Sequence, residues 1–346
     1  MTTSLPDSIQ DTAQLETLLS EPTPGVVEAM GRLEGDLMLL GAGGKMGPTM
    51  ARMAKRASDA AGNARRVIAV SRFSAPGVAA RLQEQGVEVR SCDLLDMEAL
   101  NALPDVANIV YIAGMKFGTT GQEPLTWAMN TALPTLVSHR FPGVNLSAMS
   151  TGNVYGLSSV ALGGAKETDP LDPVGEYAMS ALGRERIFEY YAQQHHTPTA
   201  MIRLYYAVEL RYGVPVDVAR RIWEGASVDL SMGYASIIWQ RDANAHTLQA
   251  LEHTGVPARP INVSGSDIVR LRDLATCLGQ HLDREPIFTG TESETALVCD
   301  TTQSQKRFGK PTVDLDTMCR WIADWVKHGR ENLGKPTHFE DRQGKF

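Results

Sequence analysis

Three glycines, Gly41, Gly44 and Gly47, end an apolar run, Leu37-Met-Leu-Leu, and a helical pattern follows at once. Glycine at such spacing lets the backbone turn tightly and come close to a pyrophosphate. The helix N-terminus beyond it offers unbonded N–H groups and the positive end of its dipole to phosphate oxygens. Pro48 suits the first helical turn, where its missing N–H costs nothing. Ordinary turns also use glycine, so the trio alone is weak. Set between a strand and a helix, it points to a dinucleotide cradled by Gly41, Gly44, Lys45, Met46 and Gly47. After the next apolar run stand Ser71 and Arg72. An acidic residue there would bond the adenosine ribose and select NAD, whereas a hydroxyl and a cation suit the 2′-phosphate of NADP. NADP is therefore the expected cofactor, with NAD the alternative and a merely solvated Arg72 the bland reading. Asp93, after a third run, is placed either to accept from the adenine amino group or to cap a helix.

These residues need a scaffold that brings strand ends together. Candidate strands at Leu37–Leu40, Val67–Val70, Val87–Ser91, Ile109–Ala113, Val144–Ala148 and Ala200–Leu204 alternate with helical segments. That rhythm predicts an α/β fold, a Rossmann-type doubly wound parallel sheet with a smaller C-terminal substrate lobe. The expected division is an N-terminal helical extension over 1–35, a dinucleotide-binding domain over 36–204, and a substrate lobe and tail over 205–346 interleaved with it. Ile9 to Leu19 and Val26 to Leu33 read as short amphipathic helices that cover a sheet edge or a neighbouring subunit; Leu315 to Val326 reads as a closing helix.

Composition narrows the classes. The 346 residues carry a formal charge of -7 with acids and bases well mixed, which argues against nucleic acid or an anionic membrane as partner. Cys92, Cys277, Cys299 and Cys319 are scattered without paired metal spacing and read as reduced thiols, so no metal is expected. A polar, acidic N-terminus and the lack of a long apolar stretch suggest a cytoplasmic protein. His195-His196 are neighbours on a helix and point apart, so they read as a surface pair. The tail around His338, Glu340 and Asp341 has no ligand spacing and reads as a polar segment folded back on the body or on a partner.

Further motifs follow in order: Ala113-Gly114-Met-Lys116, Asn130, Thr151-Gly-Asn-Val-Tyr-Gly156, Tyr177 and Ile202-Arg203-Leu-Tyr-Tyr206. The set resembles the extended short-chain dehydrogenase/reductases, the NAD-dependent epimerase/dehydratase family, over roughly residues 36–330. The resemblance implies an NAD(P)-dependent epimerase, dehydratase or oxidoreductase acting on a sugar or sugar-acid-like substrate, commonly as a homodimer built on a four-helix interface. It implies adenine contact by Asp93 and Leu94, and cofactor contact by Ala113, Gly114, Lys116 and Asn130. It also makes Thr151, beside Ser150, the hydroxyl that polarises the substrate oxygen and Tyr177 the catalytic tyrosine.

The family pattern Tyr-x-x-x-Lys is broken here, because Ala181 stands where lysine belongs. A lysine at i+4 lies above the tyrosine on one helix face and lowers its pKa. Three explanations remain open: Lys116 or Arg184 substitutes; the substrate proton is acidic enough for a weaker base; or the protein binds the nucleotide as a sensor without turning it over. Arg203 is kept, but Tyr206 replaces an asparagine that the nucleotide-sugar enzymes carry, so substrate contacts should differ from theirs.

Overall fold

A computed structural model describes residues 5–116, 118 and 121–344. Strands β1 (Leu37–Leu40), β2 (Val67–Ser71), β3 (Glu88–Ser91), β4 (Asn108–Tyr111), β5 (Asn145–Thr151) and β6 (Thr199–Leu204) fall where the apolar runs predict them. The fourth ends before Ala113 and the fifth runs on to Thr151, because its ladder with β6 continues through Thr151 opposite Leu204. After β6 the chain leaves the sheet through Tyr205 and forms β7 (Tyr206–Val208), which pairs in parallel with β8 (Tyr234–Trp239). It returns as β9 (Arg259–Val263), parallel to β6, before β10 (Ile268–Arg270) completes a three-stranded sheet ordered β10-β8-β7. The main sheet is seven-stranded, ordered β9-β6-β5-β4-β1-β2-β3.

All pairings in the main sheet are parallel, and β1 and β4 are buried along their full length. Continuous apolar runs are what a sheet covered on both faces demands. From β1 the chain winds outward to β2 and β3, then crosses back to β4 on the other side of β1. The order reverses between β1 and β4, and a ligand crevice opens at the carboxyl ends of strands at such a reversal. The fold is the Rossmann-type α/β fold that the alternation predicts.

Helices α1 (Thr12–Leu19) and α2 (Pro24–Arg32) form as expected, but α2 packs on α3 (Gly47–Ala60) rather than along an edge strand. Val26, Ala29 and Met30 share a core with Met50, Ala54 and Ala57, because the free faces of α3 are themselves apolar. Further along come α4 (Gly175–Gln194), α5 (Val214–Glu224), α6 (Gln240–Gln249) and the closing α7 (Leu315–Lys327). Every residue of α6 is buried, and Asp242 in its first turn accepts from Thr312 N at 2.9 Å and Thr312 Oγ1 at 2.7 Å. No helix among the described residues is long and apolar enough to cross a membrane.

Candidate active site

The glycine loop separates what the protein needs from what a ligand needs. Gly41 has φ +95°, and a Cβ there would lie 2.5 Å from Ala113 N; a Cβ on Gly47 would lie 2.4 Å from Ala42 O. Both are required by the approach of one chain segment to another. Gly44 is different: it is exposed, its φ is ordinary, and the nearest atom to an added Cβ is Gly41 O at 3.6 Å. Open space is kept there at the start of α3, which has Met46 as N-cap and no side chain bonding its first N–H groups. The cradle fits a pyrophosphate.

Beyond β2, Ser71 leans on the loop, since a Cβ on Gly43 would meet its Oγ at 2.6 Å. Arg72 is 71% exposed, with Nη1 3.9 Å from Asp93 Oδ2. Asp93 does not cap the next helix; Asp96 does, accepting from Glu98 N and Ala99 N. The Asp93 carboxylate accepts from Leu95 N at 3.1 Å and stays exposed beside Arg72. Leu94 and Ala113 are core residues.

Gly41, Gly44, Lys45, Met46, Gly47, Gly114, Lys116, Thr151 and Tyr177 come together around one cavity of ≈ 300 Å³. Ser71, Arg72, Asp93, Leu94, Ala113 and Asn130 do not line it. Asn130 sits on a π-helical turn, Ala128–Ala132, a local widening common at functional sites. Its side chain is fully used: Met115 N and Arg184 donate to Oδ1, while Nδ2 donates to Met115 O at 3.1 Å and Ser180 Oγ at 2.9 Å. It ties the segment after β4 to α4.

The Tyr177 and Thr151 hydroxyls are hydrogen-bonded to each other. Burial pushes the Tyr177 hydroxyl above its usual range, while the Arg184 charge and the Thr151 bond pull the other way. Thr151 Oγ1 also accepts from Asn153 Nδ2 at 2.9 Å. Ala181 is wholly buried, in the apolar cluster that holds Val154 and Tyr205, so nothing polar reaches the tyrosine from that position. Of the two substitute cations, Arg184 is committed to Met149 O (2.8 Å) and Asn130 and does not line the cavity. Lys116 does line it, with Nζ 5.9 Å from the Tyr177 ring centre and 5.6 Å from that of Tyr206. Burial lowers the Lys116 ammonium to about 8.

Ser150 turns away from the substrate side and donates to Glu185 Oε1 at 2.5 Å. Glu185 and Arg203 form a buried ion pair, Nη2 to Oε2 at 2.7 Å, and Arg203 Nη1 donates to the Tyr155 hydroxyl at 2.6 Å. This network anchors α4 to β5 and β6 beneath Thr151. Sequence reasoning kept Arg203 but missed Glu185, whose place beside Tyr-x-x-x-Ala carries no motif. It also missed Tyr212 and Lys335, both on the cavity wall. Among the described residues, ligand-type side chains cluster only at Cys277, His281 and Asp316, none of them on the cavity wall.

The model of the NAD dependent epimerase/dehydratase family matches residues 37–209, half of the chain. No curated protein matches the sequence. Among solved structures, UDP-glucuronic acid 4-epimerase from Bacillus cereus, in complex with NAD, superposes with a TM-score of 0.69 at 17% identity, over 85% of this chain and 96% of that one. UDP-glucose 4-epimerase from the hyperthermophile Thermotoga maritima, with UDP-glucose, gives 0.66 at 16% identity over 85% of this chain and 99% of that one. At such identities the superpositions establish the shared fold, and the matched family model establishes kinship: the chain belongs to the NAD dependent epimerase/dehydratase family.

Proposed function

We propose that the protein is an NAD(P)-dependent enzyme of epimerase/dehydratase type that moves a hydride at a hydroxyl-bearing carbon of a small carbohydrate-like substrate. Bound nicotinamide would supply hydride acceptance and return. The observation that carries the reading is Lys116 in the same cavity wall as the hydrogen-bonded Thr151 and Tyr177. The lysine missing at 181 is replaced from the segment that follows β4. Thr151 and Tyr177 hold the substrate oxygen as hydrogen-bond partners, and the neutral Lys116 amine takes the hydroxyl proton as the C–H bond gives up its hydride. With the amine titrating near 8 and the phenol above its usual range, Lys116 is the better proton acceptor at neutral pH. Return of the hydride to the other face yields an epimer, elimination yields a dehydrated product, and release yields net redox.

NADP is the nucleotide favoured by Ser71 and the exposed Arg72, with NAD as the alternative. Exposed Met179 and Tyr190 on α4, with Leu125 and Trp127 on the short helix Glu123–Trp127 that packs against it, support a helical homodimer face, testable by sedimentation. Mass spectrometry of the nucleotide released on denaturation tests the central claim: NAD(H) or NADP(H) is expected, and turnover should fall steeply in Lys116→Met. Buried Ala181 favours one rival, a nucleotide-binding sensor on the same fold. The sensor would bind nicotinamide nucleotide yet never change its redox state with any sugar or sugar acid.

A further inference from the structure

Away from the cavity, the closing helix α7 packs against the helix Leu271–Leu282. Their apolar faces share the lobe core: Leu274, Leu278 and Leu282 from one, Met318 and Ile322 from the other. Beside that core, four side chains of metal-ligand chemistry meet across the seam. Cys277 and His281 stand at i and i+4 on the first helix, so they share a face one turn apart. Asp316 and Cys319 stand at i and i+3 near the start of α7. Packing sets one pair against the other. His281 Nε2 lies 3.1 Å from Asp316 Oδ1, and Cys277 Sγ donates to the same oxygen at 3.8 Å. The thiols of Cys277 and Cys319 are hydrogen-bonded to each other. In the sequence the two halves, Cys-x-x-x-His and Asp-x-x-Cys, lie far apart, and neither half alone has the spacing of a metal motif.

The geometry is close to that of an occupied site. The sulfur, the imidazole nitrogen and the carboxylate oxygen lie within 4.8 Å of one another. Tetrahedral zinc at its ordinary bond lengths holds N and O about 3.4 Å apart, and S and O about 3.6 Å apart. The separations of 3.1 and 3.8 Å reach those values by side-chain shifts of a few tenths of an ångström. Cys319 is wholly buried, Cys277 and His281 are half-buried, and Asp316 is exposed, which leaves an entry path from solvent. A thiolate, a carboxylate and a neutral imidazole together carry two negative charges, matching a divalent ion. Asp314, which caps α7 through Thr317 N at 2.8 Å, adds negative charge nearby. The cations of α7 are paired elsewhere, Arg320 with Asp7 at 3.8 Å and Lys327 with Asp283 at 2.6 Å. Sulfur and imidazole donors favour zinc and its neighbours over magnesium or calcium, which prefer oxygen.

We propose that Cys277, His281 and Asp316 form a site for one divalent transition-metal ion of the zinc type, with solvent at the fourth position. Binding releases the Cys277 thiol proton to solvent as the metal–sulfur bond forms, and the ion replaces the direct contacts of His281 and Cys277 with Asp316. Cys319 holds the ligating sulfur from behind. None of the three ligands lines the cavity, so the ion clips two lobe helices together and takes no part in hydride transfer. The site is independent of the nicotinamide chemistry.

The full-length protein, stripped with a chelator and kept reduced by a phosphine, is titrated with Co²⁺ as a spectroscopic stand-in for zinc. One equivalent should bind with a thiolate-to-cobalt charge-transfer band. Zinc should bleach that band by displacement, and a large excess of magnesium should not. Cys277→Ser should abolish the band, while His281→Gln and Asp316→Asn should each weaken cobalt binding tenfold or more. All three side chains are at least half-exposed to change, and circular dichroism checks that the variants fold. Zinc should raise the Tm of the parent protein and not that of Cys277→Ser. No charge-transfer band at saturating Co²⁺, a band retained in Cys277→Ser, or unchanged affinity in either His281→Gln or Asp316→Asn overturns the site. An equal zinc effect on the Tm of parent and Cys277→Ser overturns the clip.

Discussion

The two walls of the cavity are built by opposite means. The cofactor wall is local: β1, the glycine loop and α3 are consecutive, and fifteen or so residues of backbone do the work through N–H groups and absent side chains. The lobe wall is assembled from a distance, with Lys45, Ala207, Tyr212 and Lys335 brought together by side chains. Backbone recognition tolerates any ligand with the right phosphates, whereas side-chain recognition is where substrates are chosen. That contrast accounts for a glycine loop that keeps the family's pattern beside a lobe wall that departs from it.

The sharpest way to break the contrast lies where the walls meet. Lys116→Met should lower turnover about 10²–10⁴-fold, the usual worth of a positioned proton acceptor. Nucleotide binding should be spared. In the parent enzyme the rate should rise as pH is raised through about 8, because the amine must lose its proton to act as base, and the variant should lack this limb. A pH–rate profile that keeps the limb would move the role to Tyr177.

Glu185→Ala probes the support under both walls. It strands the Arg203 charge, 6% exposed, with Tyr155 as its remaining close side-chain partner. Unfolding in urea should show a loss of about 3–5 kcal/mol. A loss under about 1 kcal/mol would mean that water reaches the pair.

Gly44→Val isolates the cofactor wall. The protein has room for the side chain and the ligand does not, so thermal stability should hold while NAD(P)H affinity falls about 100-fold or more, ~2.7 kcal/mol. Gly47→Val, by contrast, meets Ala42 O and should lose stability as well.

The smallest expected effect is at Arg72, which is solvated and already near Asp93. Arg72→Ala should weaken NADPH about tenfold, the scale of a single exposed phosphate contact, and leave NADH untouched. Equal loss for both nucleotides would remove the case for NADP.

Much of the fold was legible because its signals are local. Strands buried on both faces must be apolar along their length, so β1, β2 and β4 appear as plain runs, while β3, at the exposed edge, reads through Glu88 and Arg90 and is marked by the helical segments around it. The seventh, β9, opens with Arg259 and Pro260 and follows a long excursion through the lobe, so nothing nearby marks it as part of the sheet. Of the two expectations for the N-terminal helices, a sheet edge or a neighbouring subunit, the edge does not hold for α2, which packs on α3; amphipathic spacing shows that a face is buried, not against what.

The same division holds in the site. By itself the sequence determined the glycine loop, the position of Thr151 at the end of β5, that of Lys116 in the segment after β4, and the place of Tyr177 at the start of α4, since each depends on residues a few positions away. Only the tertiary structure showed that Lys116 lines the cavity and Arg184 does not. Both are cations at plausible spacing, and hydrogen bonds to Met149 O and Asn130 remove Arg184 from the cavity. Only the tertiary structure brought Lys45 and Lys335 to one wall. Side chains nearly 300 positions apart share no periodicity, and long-range packing alone sets their distance.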